Sequence, residues 1–333
     1  MYTAREIKLG IVMSFAWRPI LIFFVYAVIL CTLSYVSGIT LGISFVPIGL
    51  IGTAVAFYVG FKNNSSYERL WEARRIWGAI VNASRSWGTF AATYIQPLPA
   101  DPEHNAREIS VKLIHRHIAY VNTLRLQLRA KSVWDDKHSI AHHVVADQLD
   151  PDAFPLLHTL NNLLPPDETD YYLSKKNPAT HILKAQAKEL DAVFRKGAIN
   201  ELFYFQMMGL IQEFYNQQGA AERIKNFPFP RQYAFFSKVF VWLFLAILPF
   251  GLIGEFAKLG DGMLWLAIPS YMIIGWVFYT MEVVGDTSEN PFENAINDIP
   301  MTAICRTIEI DLREMLDEAN IPAPVTAVNN ILM

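Results

Sequence analysis

The sequence predicts an all-α integral membrane protein with four transmembrane helices per subunit and a cytosolic helical body. Three observations carry this. Apolar runs at residues 20–36, 41–61, 235–256 and 263–281 each supply the roughly 17–25 residues that a helix needs to cross about 30 Å of hydrocarbon. Only 18% of the 333 residues are charged, against about 25% in soluble domains. Between the second and third runs lies a stretch, residues 62–233, that is too polar to enter a bilayer.

Taken in order, residues 1–18 read as a short amphipathic lead with Arg5, Lys8 and Arg18 among apolar neighbours. Lead and first membrane hairpin together make a region of residues 1–61, and the hairpin connection at 37–40 carries no charge. A long helix continues out of the second run over residues 65–94, with Trp71, Ile76, Ile80, Trp87 and Phe90 as a broken helical stripe. The segment QPLPADP at 96–102 ends it. A second long helix spans 103–131, with Ile109, Leu113, Ile118, Val121 and Leu124 inward. Residues 132–178 are broken by Pro151, Pro155, Pro165 and Pro166, and a third long helix spans 179–221. NFPFP at 226–230 is a stiff entry into the third run and closes the cytosolic body, 62–233. The second hairpin occupies 234–283 and a cytosolic C-terminal segment 284–333. No alternating pattern of strand length occurs.

Charge sets the orientation. Arg5, Lys8 and Arg18 precede the first run, Lys62, Arg69, Arg74 and Arg75 follow the second, and Arg223, Lys225 and Arg231 precede the third. Positive flanks stay inside, which puts both termini and the body in the cytosol.

Composition and motifs exclude other classes. A net charge of -3 gives no pull toward nucleic acid, and membrane lipid is the expected surrounding. Cys31 lies in an apolar run and Cys305 in the polar tail, which is neither a disulfide framework nor a metal cluster. No glycine-rich run precedes Lys-Ser/Thr, and no Gly-x-Ser-x-Gly elbow occurs. His115 and His117 flank Arg116, and His142 adjoins His143. Neither spacing gives an i, i+4 metal pair, so these read as surface or interface histidines. No cofactor and no metal is expected, and the chain does not read as an enzyme.

The stretch 199–218, INELFYFQMMGLIQEFYNQQ, is apolar around much of a helix. Such a helix is buried on most faces or packs on neighbouring subunits. One pair of hairpins also offers too few helices to enclose a channel, and a ring of identical copies answers both points.

Residues 46–78, VPIGLIGTAVAFYVGFKNNSSYERLWEARRIWG, resemble the bestrophin family, most closely its bacterial members. QQGAAERIKNFPFP at 217–230 and SENPFENAINDIPM at 288–301 extend the resemblance over most of the chain. It implies a homopentameric, bestrophin-like ion channel in the bacterial inner (plasma) membrane. An apolar neck is lined by the second run, and a second constriction lies in the cytosol. By the same resemblance the neck falls at Val46, Leu50 and Ala54, spaced four apart on one helix face. Ala54 departs from the large apolar residue usual there. That leaves a wider neck, or a register in which Phe57 or Phe61 serves instead.

Lys62 and Asn63 are the expected polar groups at the pore mouth. A lysine ring favours anions, and the alternative is a lysine snorkelling to the interface. The cytosolic aperture carries over to Leu202, with Glu201, Phe203 and Gln206 beside it. Glu201 and Glu213 favour cations if they face the axis, and are silent if they pair with Arg195 or Arg223. In animal members the Asn-Pro-Phe segment supplies a calcium clasp. Here it has Glu289, Asn290, Glu293, Asn294, Asn297 and Asp298 without a dense run of aspartates. It reads as a structural turn, since calcium takes about 6–8 oxygen ligands. The implied function is a channel for small anions such as chloride. The alternatives are a monovalent-cation channel of the same fold, a non-conducting scaffold, and a membrane enzyme using the cytosolic histidines.

Overall fold

The computed structural model describes residues 1–6, 9–39, 41–97, 105–130 and 156–333. Lys8, Pro102, His142, His143, Pro151 and Pro155 lie outside the described residues. The elements are α1 (Leu9–Ser37), α2 (Phe45–Thr93), α3 (Asn105–Arg129), α4 (Leu156–Asn161), α5 (Pro166–Leu173), α6 (Pro178–Arg195), α7 (Glu201–Asn226), α8 (Arg231–Ala257), a 3-10 turn (Asp261–Leu266), α9 (Ala267–Thr287) and α10 (Met301–Glu314). Among the described residues, β structure is limited to isolated bridges that Ile331 makes with Tyr2 and Val328. The helices long and apolar enough to cross a membrane fall at Phe15–Ser37, Phe45–Thr93, Arg231–Ala257 and Gly262–Thr287.

α1 takes in part of the N-terminal lead, running through Pro19 from Leu9. One expectation is corrected. The third long helix is in fact two, α6 and α7. Gly197 has φ +77°, a backbone that glycine adopts without steric cost. Its N–H bonds the Phe194 carbonyl at 2.9 Å, and the Ala198 N–H bonds the Val193 carbonyl at 3.1 Å. This pairing ends a helix at a left-handed glycine. Asn200 then starts α7, its side chain accepting the Leu202 N–H at 2.8 Å.

The described chain forms two compact units. One gathers Met1–Thr3, Leu70–Phe227 and Asn290–Met333; the other gathers Ala4–Arg69 and Pro228–Glu289. In the first, Trp77 and Trp87 of α2, Tyr120 of α3 and Phe214 of α7 are fully buried. Tyr120 donates to the Phe214 carbonyl at 3.2 Å, so the aromatic core leaves no phenol unsatisfied there.

The second unit holds the membrane helices. Phe23, Ile48, Val59, Phe244, Leu245 and Tyr271 form its core. Pro249 sits inside α8, where it lacks the N–H that would bond the carbonyl four residues back. That carbonyl, Leu245, instead accepts the Tyr271 hydroxyl at 2.9 Å. The next one, Ala246, accepts the Tyr26 hydroxyl at 3.0 Å. Hydrocarbon offers no water to do this, so partner side chains must.

Candidate ion pathway along the second helix

At about 100° per residue, Val46, Leu50, Ala54, Phe57 and Phe61 of α2 fall within about 80° of one another. They form one stripe rather than two alternative registers. Val46, Leu50, Phe57 and Phe61 are between 62% and 71% exposed, and Ala54 is exposed with them. The Phe57 and Phe61 rings lie 6.5 Å apart. The stripe runs about 22 Å along the helix, at about 1.5 Å per residue, and continues as exposed Asn64 and Glu68.

The opposite face of α2 is packed. Ile48, Val55, Val59, Lys62 and Ser66 are all buried there. Lys62 is therefore not a free cation at a pore mouth. Its side chain is fully buried, with Nζ 2.6 Å from Glu282 Oε1 and 3.7 Å from Asp286 Oδ1. Ser237 of α8 donates to the other Glu282 oxygen at 2.6 Å. Asn63 is half-buried, and its Nδ2 donates to the Met281 carbonyl at 3.0 Å. Removing one partner of such a buried pair costs about 3–5 kcal/mol, because the other charge is left stranded. Sequence reasoning named Lys62 and Asn63 but missed Glu282, Ser237 and Asp286. One signal was available: a charge inside a span needs a partner, and Glu282 lies near the end of an apolar helix.

On α7 one face is packed through Met207, Ile211 and Phe214. The other leaves Leu202 and Phe205 each 62% exposed, with Glu201, Gln206 and Gly209 also exposed. Leu202 is thus no core residue, and the helix is not buried on most faces within one chain. Of the two alternatives left open for Glu201 and Glu213, pairing with Arg195 or Arg223 is not the one seen. Arg195 bonds Asp191 at 2.8 Å, and Arg223 bonds Glu72. Glu213 accepts from Gln217 at 2.6 Å.

The segment after α9 is a compact turn. Asn294 takes a left-handed backbone, φ 71°, which Asn tolerates better than most residues. The Ala295 N–H bonds Asp298 Oδ2 at 3.0 Å, and Phe292 is buried beside them. Burial pushes the Asp298 carboxyl up to about 7, partly offset by the Ala295 N–H. Burial, then the nearby Asp286 charge, raises Glu289 as well. For His117 the surface or interface expectation is corrected. His117 is buried, with Nε2 2.8 Å from Ser84 Oγ, and burial holds it down to about 3. His115 pairs with Glu318 at 2.6 Å.

The family described as Bacterial/Fungal Bestrophin protein matches residues 3–314. The chain belongs to the bestrophin family. This bestrophin is 29% identical over 287 residues to the voltage-dependent anion channel-forming protein YneE of Escherichia coli strain K12, covering 86% of this chain and 82% of that one. It is 25% identical over 273 residues to the voltage-dependent anion channel-forming protein sll1024 of Synechocystis, covering 82% and 76%. A crystal structure of a bacterial bestrophin homologue from Klebsiella pneumoniae superposes with a TM-score of 0.75 at 24% identity, over 91% of this chain and 98% of that one. Family and spanning helices together make this an integral membrane protein.

Proposed function

We propose that this bestrophin is a homopentameric channel passing small anions such as chloride, and that the exposed stripe of α2 lines its neck. The observation that carries this is the apolar face of Val46, Leu50, Ala54, Phe57 and Phe61, left unpacked opposite a tightly packed one. Five such stripes around an axis make an apolar constriction that gates by dewetting. A ring of Leu202, with Glu201 and Gln206 beside it, is the proposed second aperture. The names of the relatives support the anion reading. The charge flanks support an inner-membrane protein with both termini in the cytosol.

A monovalent-cation channel of the same fold is the second reading, favoured by one specific finding. Lys62 is buried 2.6 Å from Glu282, which weakens the support that a lysine ring lends to anions, while Glu68 and Glu201 are exposed. The reversal potential of reconstituted protein under a potassium chloride gradient decides between them. A shift toward the chloride equilibrium potential upholds the anion reading, and a shift toward that of potassium replaces it. Native mass spectrometry in detergent tests the ring; a stable monomer or dimer sinks it.

A further inference from the structure

Lys62, Glu282 and Ser237 join three helices, α2, α9 and α8, through one buried contact set. Lys62 follows Phe61 directly, so turning the exposed stripe of α2 must move a charged side chain within its seat. That seat has two acceptors. Glu282 holds Nζ at 2.6 Å, and Asp286, one helical turn further along α9, lies 3.7 Å away. Glu282 is buried, whereas the Asp286 side chain is 55% exposed. Close approach is built in beside them. A Cβ at Gly285 would lie 2.0 Å from Asn63 Oδ1, so any larger residue there would make the Asn63 side chain swing aside. The Lys62–Glu282 contact lies on the packed face of α2, opposite the exposed stripe.

We propose that Lys62, Glu282 and Asp286 form a two-seat clamp that sets the rotation of α2 and so the position of its apolar stripe. They are positioning residues for opening, not residues that contact the ion. With Nζ on Glu282, α2 is held as seen here. Transfer to Asp286 shortens the 3.7 Å contact at the expense of the 2.6 Å one, and the small turn of α2 that goes with it displaces Phe57 and Phe61. Discrete alternative contacts of this kind make a packed interface bistable rather than continuously deformable.

This rests on reading α2 as pore-lining, and the experiment separates the two claims. Cys31 and Cys305 are both buried, so a thiol reagent reports on an introduced cysteine. In otherwise unaltered full-length protein, Phe57→Cys tests the pore: no block of current by a charged thiol reagent sinks the pore reading itself. The clamp is tested by Glu282→Gln and Asp286→Asn in planar bilayers, reading open fraction and reversal potential. The two variants, which remove opposite seats, should shift the open fraction in opposite directions by about fivefold or more. Reversal potential should stay at its original value, and the charge-swapped pair K62E/E282K, whose residue-62 carboxylate can no longer pair with Asp286, should move the open fraction as Asp286→Asn does. Shifts in the same direction, no shift, or a changed reversal potential overturn the clamp. If Glu282→Gln fails to assemble, Asp286→Asn leaves the buried pair intact and decides alone, an unchanged open fraction being the refutation.

Discussion

Tyr271 donates its hydroxyl to the Leu245 carbonyl at 2.9 Å, the acceptor that Pro249 leaves without its helical partner. The proline and the tyrosine lie on different helices, yet each explains the other. Tyr271→Phe should therefore destabilise the membrane unit by about 1–2 kcal/mol, the range for a hydrogen bond within a bilayer. The same change made in Pro249→Ala should cost less, because the restored N–H fills the acceptor. Unfolding in mixed micelles measures both; equal costs on the two backgrounds would sink the pairing.

Asp298 and His117 give the first unit opposed pH responses. Asp298 is raised from 3.8 to about 7, so between those values the folded state holds more protons and this group's contribution falls as pH rises. His117 is lowered from 6.5 to about 3, so its contribution is lost as pH falls through that window. Each slope approaches about 1.4 kcal/mol per pH unit, and they nearly cancel between about pH 4 and 6.5. Asp298→Asn should expose a loss of thermal stability toward low pH, and His117→Gln a loss toward neutral pH. Parallel melting curves for both variants across this range would show the assignment to be mistaken.

Much of this was legible in the sequence, and the omissions have physical causes. Spans and the long α2 follow from hydropathy, which is local and additive. His117 could have been placed: it stands four residues from Leu113 and Val121, on the inward face already read for α3. The common stripe of Leu50 and Phe57 follows from helical arithmetic alone. The partner of Lys62 does not, because Glu282 lies 220 positions away and only tertiary packing joins them. The split at Gly197 was signalled by glycine followed by a capping asparagine, but helical propensity on both sides masked it.

Leu50 should tolerate truncation. A buried leucine cut to alanine costs about 2–5 kcal/mol, but Leu50 is 69% exposed and has little packing within the chain to lose. Leu50→Ala should keep subunit stability within about 0.5 kcal/mol and raise flux by lowering the dewetting barrier. Phe57→Ala should act in the same direction, being on the same stripe, and Ala54→Phe should oppose it. Liposome flux checks all three. Unchanged flux in well-assembled Leu50→Ala and Phe57→Ala would move the neck off this face.

The cytosolic aperture calls for a different signature. Leu202 and Phe205 are equally exposed on α7, while Met207, a few residues on, is fully buried. Met207→Ala should cost about 2–5 kcal/mol as a cavity in the core. Leu202→Ala should leave stability nearly unchanged, and so should Phe205→Ala. If Leu202 forms the narrowest ring, its truncation alters permeability ratios among ions of different hydrated size, which reversal potentials in mixed salts report. Widening a sieve away from the gate leaves the open fraction close to its original value. A stable Leu202→Ala ring with unaltered ion ratios would reject the sieve and pass the role to Phe205, whose truncation would then carry the shift.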